Sequence, residues 1–292
     1  MAEDVKDTRE VMLREGVPFE EYAKLDCVTG GFLFTLIERS PAHAIAEKEN
    51  PPDSDVFTFG SAFHTTMLEP DEVERRYIAK PNGMSFSTTA GKAWRAQQTK
   101  EIITAKQWDD LRGMRDALFE DELAGPIMRE EGVKEVSAMW QDQTSLGRSL
   151  GMAPVWCKGR PDFIPDGRLV DLKTTVDARP HAFNRQAEDL GYYFKMAWYL
   201  DGIEEIALRQ PELRLSRPQE TFLIAIEKEK PHAVNTFLVP RETLAAGKMY
   251  REAAMYRYRE CLQTGVWTKY GKRIYPVTLK PWKIEHIYGG HE

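Results

Sequence analysis

Gly159-Arg160-Pro161-Asp162-Phe163-Ile164-Pro165-Asp166-Gly167-Arg168-Leu169-Val170-Asp171-Leu172-Lys173-Thr174-Thr175 reads as two short strands joined by a Pro-Asp-Gly turn, with an acid on the first strand and an acid-x-lysine on the second. Proline presets the backbone angle at the first corner of such a turn, and glycine supplies a left-handed residue where the turn needs one. Side chains alternate along a strand, so Asp171 and Lys173 share one face while Leu172 points to the other. Arg160 lies two residues before Asp162 and on its face. The hairpin therefore brings two carboxylates and an ammonium together at the edge of a sheet.

That grouping contains the parts of a metal-dependent phosphodiesterase. Cleaving a phosphodiester takes an in-line water, charge stabilisation at the phosphate and help for the departing oxygen. Mg2+ supplies much of this, and it prefers carboxylate oxygens with retained waters to a cage built wholly of protein. Asp162 and Asp171 are the expected ligands, with Mn2+ able to replace Mg2+. Lys173 is placed to orient or deprotonate the attacking water and to offset charge on the phosphate. Without this chemistry, Asp-Leu-Lys is a charged strand end and Pro-Asp-Gly an ordinary turn. The upstream Arg160-Pro161-Asp162, the intervening hairpin and the following Thr174-Thr175 favour the chemical reading.

The chain of 292 residues, 42% hydrophobic and 29% charged, is that of an ordinary globular protein with ample length for a core. Its net charge of −6 argues against a wide basic face that coats nucleic acid. It leaves room for an enzyme that holds DNA in a local basic channel. Cys27, Cys157 and Cys261 form no CxxC pair, zinc spacing or disulfide framework. Nor can three scattered cysteines supply the four thiolates of an iron–sulfur nuclease. No apolar run has membrane-spanning length, and the opening Met1-Ala2-Glu3-Asp4-Val5-Lys6-Asp7 is too polar and acidic for a signal peptide. A cytoplasmic protein with no membrane partner is expected.

No repeat or linker divides the chain, so one domain over residues 1–292 is expected, mainly helical over 1–130 and with a sheet core over 131–292. Helices are predicted over 30–39, 41–48 and 57–68, the second with Ser40 as N-cap and Pro41 at its first position. A loop is predicted over 50–55 and a turn-rich stretch over 80–92, before helical periodicity through 91–121. Strands follow over 134–141, 155–164 and 168–173, then a helix over roughly 180–202, strands over 220–227 and 233–239, and a helix near 241–264. The class is α/β, a central mixed β-sheet flanked by helices with a helical N-terminal portion.

Several further residues fit the same chemistry. Glu135, on the strand before the hairpin, is a candidate supporting carboxylate. Arg160 is placed to touch the DNA backbone. Arg39 and Ser40 stand at a predicted helix N-terminus, where exposed amides favour a 5′-phosphate, although capping accounts for Ser40 fully. Lys92 and Arg95 are candidate duplex contacts on what otherwise reads as a solvated face. Among Tyr192, Tyr193, Phe194, Trp198 and Tyr199, stacking on an unpaired base is available, but Phe194 and Trp198 are expected in the core.

Cys157-Lys158-Gly159-Arg160-Pro161-Asp162, Val170-Asp171-Leu172-Lys173-Thr174-Thr175 and Ala197-Trp198-Tyr199-Leu200-Asp201-Gly202, in that order, resemble the PD-(D/E)xK nuclease superfamily. Within it the chain resembles the RecE-type exonucleases (exonuclease VIII) of phages and prophages. Ser40-Pro41-Ala42-His43 and Gly60-Ser61-Ala62-Phe63-His64 are similar to that family's Ser-Pro-Ala-His and Gly-x-x-x-His segments, so the likeness spans roughly residues 25–285. It implies the PD-(D/E)xK fold and a Mg2+-dependent 5′→3′ exonuclease acting on one strand of linear double-stranded DNA. The 3′ tail would pass to a single-strand annealing protein in recombination. It also implies a homo-oligomeric ring, perhaps tetrameric in form as in relatives, within a bacterial host cell.

The resemblance assigns His64 to the metal site beside Asp162 and Asp171, with Lys173 as the catalytic lysine. RecB-like relatives usually carry glutamine four residues before a tyrosine on the following helix, where this chain has Lys195 before Tyr199. Lysine brings charge and donors only, so Lys195 is a candidate phosphate contact and Tyr199 a supporting residue. An endonuclease built on the same motif, or a catalytically impaired scaffold that binds DNA ends in recombination, are the competing readings.

Overall fold

The computed structural model describes residues 9–50, 55–142, 151, 153–213, 215–271 and 273–289. The polar opening at 1–7 and most of the loop expected over 50–55 lie outside them. In chain order the strands are β1 (Met12–Arg14), β2 (Val28–Thr29), β3 (Tyr77–Lys80), β4 (Glu101–Thr104), β5 (Gly132–Lys134), β6 (Ser137–Asp142), β7 (Val155–Gly159), β8 (Phe163–Pro165), β9 (Arg168–Thr175), β10 (Glu220–Glu227) and β11 (Val234–Leu238). The helices are α1 (Phe19–Lys24), α2 (Gly30–Glu38), α3 (Pro41–Glu49), α4 (Asp55–Leu68), α5 (Val73–Arg76), α6 (Thr89–Ala96), α7 (Ala105–Glu120), α8 (Ala124–Met128), α9 (Pro180–Asp189), α10 (Tyr192–Arg209), α11 (Arg241–Thr264) and α12 (Pro281–Gly289). No described helix is long and apolar enough to cross a membrane.

The strands form two mixed sheets and a small parallel pair. One sheet runs β1-β6-β7-β2 and the other β11-β10-β9-β8-β5, while β3 pairs with β4. Within the second sheet, β9 lies parallel to β10 and antiparallel to β8, with Phe163 opposite Val170. The β8–β9 hairpin turns through Pro165-Asp166-Gly167, and Gly167 takes a φ of 71° there. This is the left-handed conformation that glycine adopts without steric cost.

Strand alternation on β9 and β10 divides the interior into two cores. Leu169, Leu223 and Ala225 join Trp140, Cys157, Phe194, Trp198 and Met255 in one core. Val170, Leu172, Ile224 and Ile226 join Phe63, Leu111, Met114 and Met128 in the other. Helices α10 and α11 cover the first face, and α4, α7 and α8 contribute to the second. Asp171 and Lys173, in step with Leu169, therefore belong to the face that α10 covers.

The expected class holds: an α/β protein with mixed sheets flanked by helices. Four element boundaries differ, each for a local reason. The strand expected over 155–164 breaks at Arg160–Asp162, so β7 and β8 belong to different sheets. The strand expected over 134–141 is interrupted at Glu135, whose φ is 47°. Helical periodicity over 91–121 gives way at β4, where the β-branched run Ile102-Ile103-Thr104 pairs with β3. Thr104 then opens α7 through a reciprocal capping box with Gln107. The helix expected over 180–202 is two helices, separated at Gly191, whose φ is 64°. A Cβ at that position would meet the Phe34 ring at 2.3 Å.

Candidate active site

The break between β7 and β8 places Asp162 in a bend instead of on a strand, and two backbone-linked contacts fix it there. Its carbonyl accepts the N–H of Glu135 at 2.9 Å. Its carboxylate Oδ2 accepts the N–H of Leu172 at 2.7 Å. The left-handed backbone at Glu135 turns that side chain towards the same place. From the other side, α4 brings His64, whose Nδ1 lies 3.5 Å from Asp162 Oδ2 and 3.6 Å from Glu135 Oε1. Ligand atoms of His64, Glu135 and Asp162 all fall within 4.8 Å of one another.

Asp171 lies beside this triad and is completely buried. Its Oδ2 is paired with Lys173 Nζ, and its Oδ1 lies 3.3 Å from Lys195 Nζ. Lys173 also donates to the Leu172 carbonyl at 3.1 Å and sits over the Tyr192 ring. Lys195 rises from α10 with its ammonium 5.3 Å from the centre of the Tyr199 ring. Tyr199 in turn packs on Gly159, where a Cβ would come within 3.0 Å of its ring. A larger residue at 159 would thus disturb the wall of the site.

The electrostatics follow from burial and crowding. Burial holds His64 down to about pKa 4, so its ring is neutral at physiological pH and can offer a lone pair. Burial, reinforced by the Asp162 charge and opposed by Arg160, raises Glu135 to about 7. Burial opposes ionisation of Asp162 as well, but neighbouring cationic groups and the Leu172 N–H hold its carboxyl below the usual range. Lys173 is pushed well below the ordinary lysine value by burial first and by the Lys195 ammonium second.

The donor set fits a divalent cation. His64 Nδ1 and Asp171 Oδ1 are buried without a hydrogen-bond partner, so lone pairs are left over at the point where Glu135 and Asp162 converge. Carboxylate oxygens suit Mg2+ and Mn2+, and a neutral imidazole adds affinity for the latter. His64, Glu135 and Asp162 are the residues that would hold such an ion.

Arg160 turns its Nε to Glu135 Oε2 at 2.8 Å and lies over the Tyr22 ring. Its Nη1 is buried and lacks a hydrogen-bond partner, which leaves one donor free for an anion. Arg39 and Ser40 make their contacts at the α2–α3 junction. Arg39 pairs with Glu47, and Ser40 Oγ meets His43 Nδ1 at 2.6 Å and accepts the His43 N–H. Ser40 thus has its N-cap role. Phe194 and Trp198 are buried in the core, and the Trp198 indole donates to the Lys158 carbonyl at 3.0 Å. Lys92 and Arg95 are exposed on α6.

Tyr22 had no signal in the sequence. Its ring lies beneath both Arg160 and Lys158, and Lys158 donates to three carbonyls, those of Tyr22, Ala23 and Leu25. The lysine thereby ties the end of α1 to β7. Only the separation of 136 residues between Lys158 and Tyr22 kept this contact from view.

Comparison with known proteins agrees with this geometry. Residues 33–275 match the family described as PDDEXK-like domain of unknown function (DUF3799). No curated protein matches the chain. Among solved structures, that of a candidate exonuclease from Eubacterium rectale is similar with a TM-score of 0.56 at 13% identity, over 94% of this chain and 98% of that one. A phage related exonuclease from Haemophilus somnus 129PT is 13% identical, with a TM-score of 0.34 over 82% of this chain and 96% of that one. At such identity the Eubacterium rectale structure shares the fold. Matched over most of its length, the chain belongs to the PDDEXK-like DUF3799 family.

Proposed function

We propose that the protein is a divalent-metal-dependent deoxyribonuclease, and specifically a 5′→3′ exonuclease that leaves 3′ single-stranded tails on linear duplex DNA. The observation that carries the nuclease reading is the convergence of His64, Glu135, Asp162, Asp171 and Lys173 from four separate stretches of chain. A bound Mg2+ or Mn2+ would neutralise charge on the phosphate. Lys173, poorly solvated and held by Asp171, is suited to position the attacking water and take part in its proton transfer. The unpaired Nη1 of Arg160 supports a role in holding a phosphate oxygen. Arg39 and Ser40 are less suited to a 5′-phosphate, since each is engaged within the helical part.

The RecE-type resemblance of the motifs and the description of the Eubacterium rectale structure support the exonuclease form. The same resemblance supports a ring-shaped homo-oligomer, a single-strand annealing partner in recombination and residence in the bacterial cytoplasm. Linear duplex labelled at the 5′ or the 3′ end, incubated with Mg2+ beside a closed circle, tests the proposal. Early release of the 5′ label with intact circles is the expected result. Cut circles would make the protein an endonuclease on the same motif. Bound but uncleaved DNA in both Mg2+ and Mn2+ would make it an end-binding scaffold.

A further inference from the structure

We propose that Lys195 stands in the place of a second divalent cation, so that this site takes a single metal ion, held by His64, Glu135 and Asp162, while Asp171 is reserved for the ammonium groups of Lys173 and Lys195. The inference rests on the reading of the site as a metal-dependent nuclease centre and specifies how many ions that centre holds.

The geometry separates the carboxylates into two sets. Glu135 and Asp162 share their neighbourhood with the lone pair of His64. Asp171, buried and one strand away from the bend, presents both oxygens to cations of the chain itself, Oδ2 to Lys173 and Oδ1 to Lys195 at 3.3 Å. A second metal ion bridging Asp162 and Asp171 would have to displace the Lys195 ammonium from Oδ1 or lie against it.

Charge counting points the same way. Glu135, Asp162 and Asp171 carry three negative charges when ionised, and Lys173 and Lys195 return two positive ones, leaving one negative charge before Arg160 is counted. One divalent ion already overcompensates that charge. A second would leave a concentrated positive charge in a poorly hydrated space, which such an environment opposes. A neutral side chain at 195 would remove one of the competing charges and free Asp171 Oδ1. The aromatic face of Tyr199 under the Lys195 ammonium helps to hold the cation in place.

Counting Mn2+ bound to the purified full-length chain, by equilibrium dialysis and by the spectroscopic signal of free Mn2+, tests the inference without reference to cleavage. The wild type is expected to saturate at one ion per chain, Lys195→Arg at one, and Lys195→Gln and Lys195→Met at two. Circular dichroism of each variant would verify that it is folded. Two ions on the wild type, or one on both neutral variants, would overturn the inference while leaving the nuclease reading in place. No bound Mn2+ on the wild type would remove the metal centre itself, and the inference with it.

Discussion

The carboxylate of Asp162 is tied to the backbone N–H of Leu172 at 2.7 Å, and this bond locks the bend before β8 to the middle of β9. One oxygen therefore serves both the fold and the site, since the same Oδ2 faces His64. Asp162→Ala leaves the buried N–H of Leu172 without a partner, which costs about 1–3 kcal/mol. Asp162→Asn retains an acceptor and should stay within about 1 kcal/mol of wild type, yet lose at least about tenfold in Mn2+ affinity. Urea unfolding and Mn2+ titration on both variants separate the two roles; equal stability of the two would deny the structural one.

Lys173 is the second test. Replacing it with alanine should cut cleavage by about 10²–10⁴-fold and leave the fold and DNA binding largely intact. Lys173→Arg keeps the positive charge but cannot give up its proton at accessible pH. Failure of Arg to restore activity is expected if the burial-depressed pKa of Lys173 is put to use. Single-turnover rates on a labelled duplex decide it, and an active arginine variant would reduce the lysine to a point charge.

Much of this site could be read from short-range pattern. Turn chemistry at Pro165-Asp166-Gly167 and alternation along Leu169–Lys173 set the hairpin and the faces of Asp171 and Lys173 before any tertiary contact was known. Ser40 and Pro41 marked the start of α3 for the same local reason. What pattern could not supply was where the chain bends. Arg160–Asp162 continues an apparently extended run, yet the chain leaves one sheet there and enters another. Glu135 looks like an ordinary strand acid, and only its left-handed backbone brings it to Asp162. The placements of Lys195 on Asp171 and of Tyr22 beneath Arg160 depend on packing between distant elements, so spacing carried no trace of them.

Proton release offers a third test. Glu135 keeps a proton up to about pH 7 because burial and the Asp162 charge oppose its ionisation, and the proton is best regarded as belonging to the pair. A cation needs the carboxylate, so its binding near pH 6 should expel about one proton per chain, falling towards none near pH 8.5. His64, neutral above about 4, contributes nothing over that range. Without metal the sign is opposite to that of a salt-bridged acid. A folded pKa raised from 4.5 favours the folded state most at low pH, and this contribution declines as pH rises through about 7. Calorimetry in buffers of different ionisation enthalpy measures the release, and Glu135→Gln should abolish it. Release that persists in that variant would assign the proton elsewhere.

A fourth prediction concerns the support beneath α10, the helix that carries Lys195. Asp142, at the end of β6, is buried between two arginines of α11, accepting from Arg251 Nη1 at 2.9 Å and from Arg259 Nη2 at 2.8 Å. Arg251 also pairs with Asp201 of α10 at 2.6 Å, so one network joins the sheet to both helices. Removing a single partner of a buried network costs more than the network contributes, because the remaining charges have lost their solvent as well as their counter-ion. Asp142→Ala should therefore destabilise the protein by about 3–5 kcal/mol. Asp142→Asn, which keeps an acceptor, should cost less. Urea midpoints with unchanged slopes measure both, and a loss below about 1 kcal/mol for the alanine variant would show that the two guanidiniums reach water when Asp142 is gone.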